Sequence, residues 1–186
     1  MQLTPVTEKF VLHWGEMGSR WGVNRTVGQI HALLYLAEAP LHAEEICETL
    51  SIARSNVSTS LKELIDWGLV RVAHVMGDRR DHFEALHDIW EIFRVVAQGR
   101  RRREIDPTLT VMRSTLMDPA FSRETPVARA RIKQVHDFLE ASTAWVDEMQ
   151  RLDPDTLMKI MKLGSRIQKL LGRGAGDAVT AGGHTK

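Results

Sequence analysis

Apolar residues recur along this chain with two different periods, and the changes of period mark its parts. Thr4 followed by Pro5 reads as a helix cap and first helical residue. After them Phe10, Trp14, Met17 and Trp21 keep helical spacing, so a first helix is predicted to run toward Gly18 or Gly22. Asn24 caps a second helix whose stripe is Val27, Ile30, Leu33, Leu34 and Ala37, ended by Pro40. A short third helix, roughly His42 to Leu50, turns Ile46, Cys47 and Leu50 inward. Three residues later a fourth begins, with Val57, Leu61, Leu64 and Ile65 on one face.

The period then drops to two. "LVRVAHV" (69–75) and "HFEAL" (82–86) alternate apolar and polar residues around "MGDRRD" (76–81). This predicts a β-hairpin with a charged tip. From Asp88 the helical period returns through Ile89, Ile92, Phe93 and Val96, and Arg100 to Arg103 close that helix, where cations suit the dipole. A further helix is expected over Thr108 to Met117, interrupted by "MDPAF". From Pro126 to Arg151, Ile132, Val135, Leu139, Ser142, Val146 and Met149 step by alternating threes and fours, a heptad seam. Such a helix is ~39 Å long. Asp153-Pro154 breaks it, and a last helix carries Leu157, Ile160, Met161, Leu163, Ile167, Leu170 and Leu171. The Gly-rich end, "GRGAGDAVTAGGHTK", is expected to be disordered. No internal repeat is visible.

The fourth helix poses a question. "ARSNVSTSLKEL" (53–64) holds Ser55, Asn56, Ser58, Thr59 and Ser60, all mediocre helix formers. Either that face is merely solvated or it lies against something polar. The order helix, short helix, tight turn, polar-faced helix and charged hairpin answers it: this is a winged helix-turn-helix. A recognition helix packs one face on its own domain and presents small hydrogen-bonding groups to base edges and phosphates. With Val57, Leu61 and Leu64 inward, Ser55, Thr59 and Lys62 point away, flanked by Asn56 and Ser58, with Arg54 at the start. Arg79 and Arg80 at the hairpin tip would reach the neighbouring backbone or minor groove. The expected partner is double-stranded DNA.

Composition changes this picture little. The 186 residues carry a net charge of only +1, so any basic surface is local. Cys47 is the single cysteine; it excludes an intrachain disulfide framework and reads as an inert core thiol rather than a redox sensor. "MQLTPVTEKF" lacks the features of a signal peptide, and no window reaches the length of a membrane helix, so the expected location is cytoplasmic. The eight histidines form no ligand spacing, and no metal or cofactor is expected. No phosphate loop, nucleophile elbow or paired carboxylates suggest an enzyme. A helical adaptor that uses the winged helix for protein contacts is the alternative reading.

"LSIARSNVSTSLKELIDWGLVRVAHVMGDRRDHFEA" and "SRWGVNRTVGQIHALLYLAEAPLHAEEICETL" resemble the MarR superfamily, and within it the GbsR branch. The resemblance covers roughly residues 10 to 95 and implies a dimeric transcription regulator, usually a repressor, in some cases relieved by a small ligand. Carried over by position, Arg54 to Lys62 match the recognition helix and Gly77 to His82 the wing. Two positions depart. Ser51 stands where the turn often carries Gly, and Ala53 stands at the cap, so that Ser51 or Ser55 could cap instead.

The expected class is mainly α, within α+β. The parts are an N-terminal helix (1–23), a winged helix-turn-helix (24–87), a helical linker and dimerisation region (88–171) and a tail (172–186). Ile132, Val135, Leu139, Val146 and Met149 are the expected homodimer seam, and a two-fold dimer implies a near-palindromic operator. Arg100 to Arg103 read as a solvated helix end or as a clamp on the DNA backbone. Trp14, Trp21, Tyr35 and Trp90 fall where the winged module should join the dimer helices. They read either as core or as an effector site for a cationic or amphipathic small molecule.

Overall fold

The structure is a computed structural model and describes residues 2–163; Ile167, Leu170, Leu171 and the Gly-rich end lie outside the described residues. The elements are α1 (Pro5–Arg20), α2 (Arg25–Leu36), β1 (Leu41–His42), α3 (Ala43–Leu50), α4 (Arg54–Trp67), β2 (Val70–Ala73), β3 (His82–Ala85) and α5 (Ile89–Arg100). A π-helical turn over Arg101–Ile105 leads to α6 (Asp106–Met117), a 3-10 turn over Pro119–Arg123 and α7 (Pro126–Arg151). Residues 154–163 are helical again. The class is the expected one: helices with one small antiparallel sheet. None of the described helices is long and apolar enough to cross a membrane.

Local chemistry sets the boundaries. Thr4 and Thr7 cap α1 reciprocally, Thr7 N–H to Thr4 Oγ1 at 3.3 Å and Thr4 N–H to Thr7 Oγ1 at 2.8 Å. Asn24 Oδ1 accepts from Thr26 N–H at 2.8 Å and starts α2. α3 has an unusual cap: His42 Nδ1 accepts from Glu45 N–H at 3.3 Å, while Glu45 returns a carboxylate to the His42 N–H at 2.9 Å. His42 also belongs to β1, which sequence periodicity missed. Two residues are too few to show alternation. β1 pairs with β3 (Leu41 opposite Phe83), and β3 with β2 (Val72 opposite Phe83), giving the order β1-β3-β2.

The chain forms two compact units, the first ending at Glu104 and the second starting at Ile105. In the first, Val27, Ile30, Leu33 and Leu34 of α2 meet Ile46 of α3, Val57, Leu61 and Leu64 of α4, Leu69, Val70 and Ala85 of the hairpin, and Ile92 of α5. α1 and α5, expected outside the 24–87 module, are thus packed into it. α1 lies close on α2, because a Cβ on Gly28 would come within 3.0 Å of Gly15 Cα. Five residues expected inward are not: Phe10 and Trp21 of the first stripe are 36% and 59% exposed, and Ile65, Ile89 and Phe93 are 37%, 51% and 55% exposed. Ile65 lies at the edge of its apolar stripe, and on α5 the burial is carried by Ile92 with Val95 and Val96 half-covered.

In the second unit, α6 and α7 pair, with Arg113 joined to Glu140 at 2.9 Å. Of α6 only Leu109 is buried, and of α7 no residue is. On the expected seam Ile132, Leu139, Val146 and Met149 are half-buried and Val135 is exposed. The same face widens onto Phe138 and Trp145, 68% and 63% exposed, which heptad counting left out.

Candidate nucleic-acid interface

The interface is built on the turn between α3 and α4. Ser51 closes α3 in the left-handed conformation (φ 52°, ψ 44°), its N–H donating to Cys47 O. Ala53 is the N-cap of α4 and makes no side-chain bond, so the helix begins at Arg54 without help from Ser51 or Ser55. α4 then divides by burial. Val57, Ser60, Leu61 and Leu64 are buried, whereas Arg54, Ser55, Asn56, Ser58, Thr59 and Lys62 are all exposed. Ser60 therefore leaves the polar face, which keeps four small hydroxyl and amide residues. The sequence-predicted contact residues of this helix stand together on its outer side.

The hairpin supplies the second half. Asp78 folds back on its own wing: Oδ1 accepts from Arg80 N–H at 3.0 Å, and Oδ2 from the Arg80 guanidinium at 2.5 Å. The Arg80 side-chain and backbone donors hold the Asp78 carboxyl well below the usual carboxylate range. This fork fixes where Arg80 sits. Arg80 faces solvent and Asp78 is half-buried, so a phosphate can reach the guanidinium from the open side. His82 fastens the base of the wing, its Nδ1 sharing a hydrogen bond with Arg80 O at 3.0 Å. Arg79 is exposed at the tip.

The two halves meet in one groove. A cavity of about 420 Å³ is lined by Arg54, Ser58 and Lys62 of α4, Arg80 and Phe83 of the wing, and Glu44 of α3. Glu44 pairs with Arg54, and its carboxyl lies below its ordinary value through its own backbone N–H and that arginine. Arg54, Lys62 and Arg80 beside the Ser58 hydroxyl suit a phosphate, which would compete with Glu44 for Arg54 and with Asp78 for Arg80, with Asp81 also on the wall; the outer face of α4 is left for base edges. Sequence reading missed Glu44 and Asp78. Glu44 meets Arg54, ten residues on, only after folding; Asp78 lies two residues before Arg80, within the turn, where its carboxylate reads as an ordinary turn residue.

The arginine run turns inward. Arg100 donates to Trp21 O at 2.5 Å and pairs with Glu104 at 3.3 Å, while the Arg103 guanidinium sits 3.9 Å over the Trp67 ring. These two arginines serve the first unit's own packing. The four expected effector aromatics separate. Trp14 and Trp21 line a cavity of about 100 Å³ shared with His31 and Trp67. Tyr35 lies between the His31 and His87 rings, at 6.5 and 6.1 Å, and Trp90 is half-buried at the start of α5, off that cavity's wall.

Comparison with known proteins agrees with this geometry. Residues 21–81 match the model of the MarR family. The likeness to that family thus lies within the first unit. Beyond it, the chain is similar to the HTH-type transcriptional repressor GbsR of Bacillus subtilis (strain 168). They are 25% identical over 136 residues, which cover 71% of this chain and 75% of GbsR. It is also similar to the putative HTH-type transcriptional regulator YvaV of the same organism, 20% identical over 75% of this chain and 79% of YvaV. The repressor OpcR matches over less, 23% identical across 39% of this chain and 40% of its own length. A crystal structure of a transcriptional regulator shares the fold with a TM-score of 0.62, at 21% identity, covering 85% of this chain and 99% of that one. The protein is a DNA-binding transcriptional regulator.

Proposed function

We propose that this regulator is a cytoplasmic homodimer that represses promoters by occupying a near-palindromic operator, and that a small molecule relieves it. The groove in which Arg54, Ser58 and Lys62 of α4 face Arg80 of the wing carries the DNA reading. Repression is supported by the repressors GbsR and OpcR among its relatives. Dimerisation is supported by the α7 face: Val135, Phe138 and Trp145 stand uncovered on a helix with no buried residue. A two-fold dimer of this kind sets recognition helices about one DNA turn apart, ~34–36 Å.

In this reading Ser55, Asn56, Ser58 and Thr59 read bases, and Arg54, Lys62, Arg79 and Arg80 hold phosphates or the minor groove. The test is a footprint upstream of its own gene and its neighbours, followed by gel shifts over a salt series. Asn56→Ala should weaken operator binding by roughly 1–3 kcal/mol and spare non-specific binding. Arg80→Ala should weaken both and flatten the salt dependence. Wild-type affinity in both variants would remove the assignment of these faces. Absence of any DNA binding would return the adaptor reading.

A further inference from the structure

The two arginines of the groove are held in the same way from opposite sides. Arg54 pairs with one oxygen of Glu44, and the other oxygen of that carboxylate lies 3.0 Å from His42 Nδ1. Arg80 pairs with Asp78, and Asp78 Oδ2 lies 3.7 Å from His82 Nε2. The two histidines stand opposite one another in the β1–β3 pairing, edge to face, with ring centroids 5.5 Å apart. A row of arginine, carboxylate, histidine, histidine, carboxylate and arginine thus runs from α4 to the wing. Its middle is shielded, the His42 and His82 side chains being 12% and 7% exposed, while the two arginines face solvent.

Hydrogen bonds fix which nitrogens are open to a proton. His82 Nδ1 faces Arg80 O at 3.0 Å; a carbonyl only accepts, so this nitrogen carries the hydrogen, and the neutral ring turns the lone pair of Nε2 toward Asp78. His42 Nδ1 accepts from Glu45 N–H at 3.3 Å, so in the neutral ring it is bare beside the Glu44 carboxylate. A proton on either bare nitrogen turns a lone pair that faces a carboxylate into a charged donor to it. That carboxylate then has a cation on each side, and its arginine is held less exclusively. Two imidazolium rings at this spacing repel, so the pair takes up about one proton. The remaining charges around the row are fixed. Glu45 Oε2 lies 3.5 Å from His42 Nε2, and Arg71 of β2 is paired with Glu84 at 2.6 Å. Asp78, and behind it Glu44 and Glu45, hold the Arg80 proton more firmly than usual. From α2, His31 and Tyr35 lie against each other and against Trp14 and His87.

We propose that His42 and His82 are positioning residues that act through Glu44 and Asp78 on Arg54 and Arg80, so that a proton taken up by the pair releases a groove arginine to phosphate and operator DNA is bound more tightly at pH 6 than at pH 8. Histidine is the side chain whose charge ordinarily changes in that range. The proposal rests on the assignment of Arg54 and Arg80 to phosphates made above.

The test is a gel shift of the full chain on its operator from pH 8 to pH 6 at constant ionic strength. Wild-type affinity should rise several-fold, and the salt dependence should steepen by about 0.9 for each added charge. His42→Asn keeps a side-chain cap for α3, and His82→Asn keeps an N–H donor for Arg80 O, but neither takes a proton. The double variant should bind like wild type at pH 8 and show no rise. His31→Phe should keep the rise, because that ring, with a pKa of about 4, is already neutral across the range. A flat wild-type profile, or a rise that survives in the double variant, would overturn the proposal. A second arm needs no DNA: the histidine ring protons of the free chain are titrated by NMR. Arg54→Ala should move the titration of His42 to higher pH, and Arg80→Ala that of His82, since each carboxylate then serves its histidine alone. Titrations that do not move would also overturn it. Titrations that move, with operator affinity indifferent to both arginine variants, would uphold the row and remove the phosphate assignment instead.

Discussion

The two units of this chain solve the burial problem in opposite ways. The first closes on itself: α2 is apolar on most of its circumference and is covered by α1, α3, α4 and the sheet, so that Ile30, Leu33, Leu34 and Ile46 are almost inaccessible. The second consists of a helical pair in which a 26-residue helix buries nothing fully and leaves Phe138 and Trp145 in solvent. Aromatic side chains carry large apolar area, and a row of them uncovered marks an interface rather than a surface. In the reading proposed above, the first unit is closed in one copy of the chain and the second is completed by pairing with another. The first holds the chemistry of recognition, and the second, in our reading, holds the arithmetic of two half-sites.

The sharpest way to break this contrast is to charge the open face of α7. Phe138→Asp with Trp145→Asp should turn a dimer into a monomer, read by light scattering at micromolar concentration. Operator affinity should fall by about 10²–10⁴-fold, the loss of a linked second site. The first unit should keep its circular-dichroism signature and its non-specific DNA binding. A wild-type protein that is monomeric at micromolar concentration would remove the basis of the contrast.

Within the first unit, the closed core carries one titratable weak point. His31 has a folded pKa of about 4 against an ordinary 6.5. The unfolded chain therefore takes up a proton that the folded chain refuses, and stability falls as pH drops from 6.5 toward 4. Above 6.5 there is no effect, and below 4 the loss is complete, about 3 kcal/mol for a fully buried ring. Asp78 acts in a lower window: its depressed pKa keeps stability above the usual aspartate range and loses it only below that. Denaturant melts at intervals between pH 7 and pH 4 should show the His31 slope in wild type and a flat line in His31→Phe. An equal slope in both would show that other groups carry the acid sensitivity.

What was legible in the sequence follows the same division. In the first unit, long periodic stripes and side-chain caps placed α1 to α4 and the hairpin, and the exposed set from Arg54 to Lys62 emerged as one face. Strand β1 was not legible because its partner β3 is brought to it by folding; the His42 cap and the Asp78–Arg80 fork are local, but histidine is an uncommon cap and a charged turn gives no sign of which pair closes. In the second unit the helices were placed, yet the heptad count stopped at the half-covered edge of α7. The apolar stripe there is wider than a two-position seam, and Phe138 and Trp145 extend it. Trp67 was likewise invisible as a cavity wall. As the last residue of α4 it reads as an ordinary helix end, and its role comes from α5 crossing over it at Gly99.

The smallest expected effect lies at the turn that presents the recognition helix, and it runs opposite to the others. Ser51 is, among the described residues, the only non-glycine residue with positive φ, and it closes α3 three residues before α4 starts. A Cβ in that region crowds the following carbonyl, at a cost of roughly 1–2 kcal/mol relative to glycine, offset partly by the greater freedom glycine has when unfolded. Nothing compensates through capping: Ala53 provides no side-chain bond, and the N–H of Ser51 serves Cys47 O with any residue present. Ser51→Gly should therefore stabilise the protein by about 1 kcal/mol, a rise in melting temperature of about 2–4 °C for a chain of this size. Because the backbone already adopts the geometry that glycine prefers, the axis of α4 should not move. Operator affinity should then stay within a factor of two, about 0.4 kcal/mol. A stabilised protein with unchanged DNA binding shows that the turn is strained but correctly shaped. A stabilised protein with weakened binding would mean that the Ser51 hydroxyl, or the strain itself, takes part in docking the helix.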